Sequence, residues 1–72
     1  MSQDNVYGVS EIVGTSETSI EEAIQKAVAN ASENRRHLRW FEVIETRGHI
    51  ENDRVAHYQV HLKVGYTIEG KE

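Results

Sequence analysis

Apolar and polar residues alternate along the last third of the chain. One set is apolar and consists of Ala56, Tyr58, Val60, Leu62, Val64, Tyr66 and Ile68. The intervening set is mostly polar and consists of Val55, His57, Gln59, His61, Lys63, Gly65 and Thr67. Because alternate side chains of an extended chain share a face, this pattern predicts a long strand from about Arg54 to Ile68 with one face in the core.

A stripe of apolar residues at the helical period follows Ser19. Its members have the spacing i, i+3, i+4, i+7, i+8 and i+11, and they are Ile20, Ala23, Ile24, Ala27, Val28 and Ala31. The stripe predicts one amphipathic helix, and its alanines would let this helix lie close to a sheet. Ser19 and Glu22 have the spacing of a capping box, in which each side chain bonds the backbone N–H of the other residue.

Two further strands complete the pattern. Val6 to Val13 indicates a first strand, whose imperfect alternation leaves its inward face open. A second strand runs from about Leu38 to Arg47, and residues 48–53 form a turn or short loop in which Asn52 and Asp53 favour a turn. The predicted fold class is α+β, with a three-stranded antiparallel sheet in β-α-β-β order packed on one amphipathic helix. One helix covers one face of such a sheet, so the other face is open unless assembly buries it.

The single tryptophan, Trp40, lies near the start of the predicted second strand. Strict alternation sorts this strand into two faces, with Trp40, Glu42, Ile44 and Thr46 on one, and Phe41, Val43, Glu45 and Arg47 on the other. If the second set faces the core, Trp40 lies on the open face beside Gln59 and His61. A hairpin closing around residues 48–53 would place Trp40 roughly opposite His61, and Gln59 opposite Glu42. A large aromatic side chain there needs a partner, which is another subunit, a flat ligand, or both.

Size and composition point to self-association. The chain has 72 residues, so residues 1–72 are predicted to form a single domain. A core of this size seldom contributes more than about 3–5 kcal/mol to stability. Small proteins usually add a further stabilising feature, or staple, such as a disulfide, a metal site or oligomerisation. The sequence has no cysteine, which excludes disulfides and thiolate metal sites. Oligomerisation is the staple that remains, and we expect a homo-oligomer.

Charge and hydropathy exclude two classes of partner. The formal net charge is -4, from 12 acidic and 8 basic residues, whereas a nucleic-acid surface needs a basic excess. No apolar run approaches the roughly 18 residues of a membrane span. The segment Met1 to Asn5 is short and polar, unlike a signal peptide. We therefore expect a cytoplasmic protein that binds neither nucleic acid nor membrane.

No group of residues forms a catalytic or metal-binding pattern. His57 and His61 have a spacing that chelates a metal on a helix, but on a strand they stand about 13 Å apart at roughly 3.3 Å per residue. The serines and threonines have no nearby base that would make a nucleophile. Arg47 and the basic cluster Arg35 to Arg39 could hold a phosphate, although charge at the helix C-terminus is the simpler explanation for the cluster. We expect no catalytic residue and no metal.

Several short motifs together resemble the dodecin family, in its bacterial form. In chain order they are Glu11-Ile12-Val13-Gly14-Thr15-Ser16, Leu38-Arg39-Trp40-Phe41-Glu42-Val43, Arg47-Gly48, Tyr58-Gln59-Val60 and Val64-Gly65-Tyr66, with the alanine-rich helix between the first two. The resemblance covers nearly the whole chain. It implies a three-stranded antiparallel sheet wrapped on one helix, and a hollow homododecamer of cubic symmetry.

The resemblance also implies a ligand, because dodecins bind flavin in pairs between subunits. The expected cofactor is FMN, or riboflavin or FAD, and some bacterial members also bind coenzyme A. The family's stacking tryptophan matches Trp40, its flavin-bonding glutamine matches Gln59, and an acidic position near the flavin in archaeal members matches Glu45. Bacterial members often carry arginine at the positions of Arg47 and Thr67, and this chain keeps only the first.

The function implied by the resemblance is storage or sequestration of flavin by a protein that is not an enzyme. Stacking on tryptophan would quench the excited flavin and protect it. The residues leave a second class open, a ligand-free oligomeric scaffold or shell protein whose interface uses Trp40.

Overall fold

A computed structural model describes residues 5–69 as three strands and one helix. The elements are β1 (Val6–Ser16), α1 (Ile20–Asn34), β2 (Leu38–Glu51) and β3 (Arg54–Glu69). This β-α-β-β order confirms the predicted α+β fold. The described residues include no helix that is long and apolar enough to cross a membrane. Residues 1–4, which bear on the signal-peptide prediction, and residues 70–72, which belong to the predicted domain, lie outside the described residues.

The long predicted strand, β3, is the central strand of the sheet. The sheet order is β1-β3-β2, and both outer strands run antiparallel to β3. Val60, Leu62 and Val64 on its apolar face are at most 1% exposed and form the core with three alanines of α1. The alternation of β3 therefore identified the core face correctly. The register of β1 with β3 identifies the inward face of β1. Ile12 lies directly opposite Leu62, and opposite residues share a face.

Small residues let α1 lie directly on the sheet. Ala23, Ala27 and Ala31 are the buried residues of the helix. At Gly14 in β1, a Cβ atom would overlap the backbone carbonyl of Ala23 and come within 2.9 Å of the Ala27 Cβ. The predicted close packing of helix and sheet is confirmed, and it depends on the absence of a side chain in β1 as much as on the alanines.

Two serines cap the N-terminus of α1. Ser19 Oγ accepts a hydrogen bond from the Glu22 N–H at 3.0 Å, which confirms half of the predicted capping box. In place of the other half, the Ser16 hydroxyl donates to the Glu22 carboxylate, and the Ser19 N–H donates to Ser16 Oγ at 3.2 Å. Hydrogen bonds from Ser16 and, to a smaller extent, from Thr18 lower the pKa of Glu22, because they stabilise its ionised form.

β2 and β3 form a longer hairpin than the sequence pattern predicts. Its turn consists of Asn52 and Asp53, whose φ angles of 54° and 63° match the left-handed conformation of a two-residue hairpin turn. Pairing starts immediately beside the turn, with Glu51 opposite Arg54. The predicted loop over residues 48–53 is therefore too long.

The tight turn changes the register of the hairpin. Trp40 lies opposite Gly65 and Glu42 opposite Lys63, so the predicted pairing of Trp40 with His61, and of Glu42 with Gln59, is wrong. Each predicted partner is displaced along β3 by an even number of residues. Because side chains alternate with a period of two, Trp40 keeps its predicted face even though its neighbours change.

An irregularity in β2 reverses the alternation of its second half. Val43 pairs with Leu62, whereas Glu45 pairs with His61, the next residue along β3. Ile44 is the extra residue of this β-bulge. The prediction that Glu45 and Arg47 face the core is wrong, because the bulge turns both toward the face that carries Trp40.

Candidate functional site

The sheet face opposite α1 carries the candidate functional residues, and we call it the open face. Its residues on the two strands of the hairpin are Trp40, Glu42, Glu45 and Arg47 from β2, with Gln59, His61, Lys63 and Gly65 from β3. Strand β1 adds Tyr7, Val9, Glu11, Val13 and Thr15, which pair with alternate residues of β3. The helix packs on the other face, so these side chains are available to a ligand or to a second copy of the chain.

One end of the open face is aromatic. The Trp40 indole lies over Gly65 so closely that a Cβ atom there would overlap the ring. Tyr7 contacts the indole edge to face, with ring centroids 5.1 Å apart and an interplanar angle of 71°. Trp40 is nevertheless 43% exposed. The backbone of β3 therefore covers one side of the indole, and the other side faces outward.

The other end of the open face is polar. A shallow cavity of about 200 Å³ is lined by Val13, Glu45, Arg47, Gln59 and His61. Arg47 Nη2 donates to Glu45 Oε2 at 3.2 Å. The Gln59 amide can both donate and accept hydrogen bonds, and a guanidinium suits a phosphate or carboxylate. The polar end can therefore bind the polar edge of a flat ring, or an anionic substituent on it.

A side-chain contact also joins β1 to β3 at the polar end. His61 Nε2 lies 3.1 Å from Glu11 Oε1. Both side chains belong to the open face, so this contact holds the imidazole beside the cavity. Among the described residues, no group of three or more His, Cys, Asp or Glu side chains is placed to hold a metal ion.

The two ends of the open face are far apart within one chain. Trp40 lies opposite Gly65, and Arg47 lies opposite Gln59. Gly65 and Gln59 are six residues apart on β3, or about 20 Å at roughly 3.3 Å per residue. The structure thus brings three of the predicted site residues together (Gln59, Arg47 and Glu45) and leaves Trp40 apart from them.

Sequence reasoning missed Tyr7 as a neighbour of Trp40. The alternation of β1 was too imperfect to assign a face to this tyrosine. The one available signal was Gly65, because an isolated glycine within a strand pattern often marks a close approach by another group. Here the approaching group is the Trp40 indole.

The basic cluster after α1 contacts the chain itself. The Arg35 guanidinium lies over the Tyr66 ring, 4.5 Å from its centroid. Arg39 Nε donates to Thr67 Oγ1 at 3.1 Å. These contacts give two residues of the cluster a structural role, although not the expected charge effect at the helix C-terminus, since the last turn of α1 contains no basic residue. They also place a cation beside Thr67.

Comparison with known proteins gives a consistent result over nearly the whole chain. The dodecin family model matches residues 6–69. A dodecin of Thermus thermophilus is 53% identical over 64 residues, which cover 89% of this chain and 93% of that protein.

Solved structures agree with this match. The structure of a dodecin from Streptomyces coelicolor has 44% identity and a TM-score of 0.88, with coverage of 97% of this chain and 100% of the other. A dodecin from Streptomyces davaonensis has 39% identity and a TM-score of 0.87, with coverage of 92% and 97%. Sequence, element order and backbone geometry therefore lead to one conclusion: this chain belongs to the dodecin family.

Proposed function

We propose that the protein binds flavin in pairs between copies of a homo-oligomer, and that it stores or sequesters the flavin without catalysing a reaction. FMN or riboflavin is the proposed ligand, with FAD as a further flavin form, and the proposed assembly is a homododecamer. The single observation that carries the proposal is the Trp40 indole, held over Gly65 with its other side outward. Family membership agrees with this assignment.

The position of the indole explains why a flavin site would be shared between two copies of the chain. Because the β3 backbone covers one side of the ring, Trp40 can stack on a flat ligand from one side only. A ligand enclosed on both faces therefore needs a second indole, from another copy of the chain. Two indoles facing each other would enclose a pair of stacked rings, and each aromatic contact of this kind contributes about 0.5–1.5 kcal/mol beyond area burial.

The separation within one chain supports a site shared between copies. Trp40 and Gln59 lie at opposite ends of the open face, too far apart to contact one ring from the same chain. In the proposed site, the Gln59 amide of one copy bonds the polar edge of a ring that stacks on the Trp40 of another. Arg47 contributes a cation for the phosphate of FMN, and Glu45, which already pairs with Arg47, orients that guanidinium.

Exposed apolar side chains support self-association. Large hydrophobic residues are exposed on both faces of the sheet and at the hairpin end, and they include Val9, Val13, Phe41, Val43, Ile50 and Val55. So many exposed large apolar side chains on a chain of this size favour an interface with other copies. Assembly would bury them and would supply the staple that a core of three alanines and three aliphatic residues lacks.

The residues around Trp40 suit storage better than turnover. When bound, flavin supplies hydride and electron transfer and light absorption. Close stacking on an electron-rich indole favours rapid quenching of the excited ring, which limits photochemistry. The cytoplasmic location stays a prediction from the sequence, and coenzyme A binding stays an implication of the family resemblance.

The second candidate is a ligand-free oligomeric scaffold. The exposed apolar residues are the observation behind it, because they favour assembly whether or not a flavin binds. The two functions differ in one respect: only the first requires Trp40 to remain accessible in the assembled protein.

Titration of flavin fluorescence with ligand-free protein tests the proposal. We expect riboflavin and FMN to be strongly quenched, with saturation near one flavin per chain. Trp40→Ala should abolish the quenching and weaken binding about tenfold or more, because two stacking contacts are lost for each pair. Tighter binding of FMN than of riboflavin, lost in Arg47→Ala, would assign the phosphate to Arg47.

Phe41→Ala provides the matched control. Phe41 is adjacent to Trp40 and similarly exposed, at 50%, but it points to the opposite face of β2. Its replacement removes comparable apolar surface and should leave quenching intact. If the unmodified protein fails to quench either flavin while remaining oligomeric, the scaffold is the correct function. If Trp40→Ala binds and quenches like the unmodified protein, the stacking site is wrong.

A further inference from the structure

Tyr7 and Trp40 meet across the central strand of the sheet. Tyr7 lies opposite Thr67 on one side of β3, and Trp40 lies opposite Gly65 on the other. Side chains from two outer strands are normally separated by the side chain of the strand between them. Gly65 has none, so the two rings contact each other edge to face at 5.1 Å.

This contact limits where the indole can lie. The Gly65 backbone supports the ring from below, but a flat support leaves the ring free to turn within its plane or to change rotamer. The Tyr7 ring contacts the indole from the side, at an interplanar angle of 71°. This is the edge-to-face arrangement that aromatic pairs prefer. Together the contacts with the Gly65 backbone and with the Tyr7 ring restrict the indole to one orientation.

The Tyr7 side chain is itself held in place. Tyr7 belongs to the paired part of β1, and the Asn5 amide donates to its hydroxyl at 3.1 Å. This hydrogen bond is exposed, so it contributes little by comparison with the ring contact. The aromatic ring of Tyr7, more than its hydroxyl, is therefore the part that restrains Trp40.

We infer that Tyr7 is a positioning residue that orients the Trp40 indole before any ligand binds, and that it thereby belongs to the flavin site. The second half of this inference rests on the proposed function, whereas the first half does not. Orientation before binding matters because a ring that is already ordered loses less conformational freedom when a ligand stacks on it. Loss of an edge-to-face pair should weaken stacking about 2- to 12-fold.

The single tryptophan makes the first half directly measurable in ligand-free protein. Time-resolved anisotropy of tryptophan emission, excited where tyrosine does not absorb, reports the motion of Trp40 alone. We expect Tyr7→Ala to increase the amplitude of the fast component, which reflects local motion of the indole. Tyr7→Phe keeps the ring and should behave like the unmodified protein. Far-ultraviolet circular dichroism and sedimentation verify that each variant is folded and assembled.

The second half is tested by flavin titration of the same variants. We expect Tyr7→Ala to bind riboflavin about 2- to 12-fold more weakly, with Trp40 still present, and Tyr7→Phe to restore the affinity. If Tyr7→Ala loses affinity and Tyr7→Phe loses as much, the hydroxyl is responsible and the ring-contact inference is overturned.

The two readouts separate failure of this inference from failure of the proposed function. Unchanged anisotropy in Tyr7→Ala overturns the positioning role, whatever the flavin result. Increased anisotropy with unchanged riboflavin affinity overturns the assignment of Tyr7 to the flavin site. If the unmodified protein binds no flavin, the proposed function and this assignment both fail, and the ligand-free anisotropy alone decides the positioning role.

Discussion

The two faces of β3 differ sharply although their residues alternate along one strand. On the helix face, Val60, Leu62 and Val64 are fully or almost fully buried. On the open face, Gln59, His61 and Gly65 alternate with them and line the candidate site. The helix face is complete within one chain where α1 covers it, although Phe41 and Val43 of β2 stay exposed on this face. The open face is divided within one chain, because its aromatic and polar ends lie about 20 Å apart at roughly 3.3 Å per residue.

This difference separates stability from binding in the molecule. Residues of the helix face stabilise the folded chain through burial, which is roughly proportional to the apolar area removed from water. Residues of the open face contribute little to that burial and are free to be selected for what they contact outside the chain. Substitutions on the two faces should therefore change different measurements.

The largest contrast is expected between two neighbours on β3. Leu62→Ala should lower the free energy of unfolding by about 2–5 kcal/mol, because it opens a cavity in a core with few large side chains. Lys63→Ala, on the open face, should change it by no more than about 0.5 kcal/mol. Urea unfolding at one fixed protein concentration measures both, since assembly adds to apparent stability. Equal losses would mean that the open face is also a packed core.

A smaller contrast is expected between two glycines, one for each face. Gly14→Ala places a methyl group against the Ala23 carbonyl and should destabilise the fold by about 1–3 kcal/mol through overpacking. Flavin affinity of the protein that remains folded should not change. Gly65→Ala displaces the Trp40 indole and should weaken flavin binding about tenfold. Both variants are measured by unfolding and by flavin titration. If both variants lowered only stability, or both weakened only flavin binding, the contrast between the two faces would be wrong.

The smallest effect concerns the helix cap and depends on pH. Hydrogen bonds from Ser16 and Thr18 lower the pKa of Glu22 in the folded state. The unfolded state therefore binds more protons just below the ordinary carboxyl pKa of about 4.3, so stability falls as pH falls through this window. Ser16→Ala should make the melting temperature less dependent on pH there. An unchanged pH slope in this variant would show that Ser16 does not stabilise the ionised carboxylate.

Regular elements were predictable, and irregular ones were not. The period of two in β3 and the period of 3.6 in α1 identified the core, because each pattern depends only on local backbone geometry. The β-bulge at Ile44 has no such signature, and it alone moved Glu45 and Arg47 from the predicted core to the open face. The turn at Asn52 and Asp53 was anticipated by residue type, but its length was not.

The candidate site shows the same division residue by residue. Trp40 and Gln59 were assigned to the open face from alternation, and both lie there. Their predicted proximity was wrong. The pairing of β2 with β3 depends on the position of the turn between them, and the tight turn displaced each predicted partner along β3 by an even number of residues. Tyr7 was missed because its contact crosses a third strand, and only the absence of a side chain at Gly65 allows it.

By itself, the sequence determined the element order, the buried stripe of α1 and the two faces of β3. These follow from side-chain polarity at fixed backbone periods, which each segment carries without reference to the others. Only the tertiary structure decided which residues of β2 join Gln59 and which aromatic ring meets Trp40. Those contacts depend on strand register and on a bulge, which result from the balance of packing across the whole sheet.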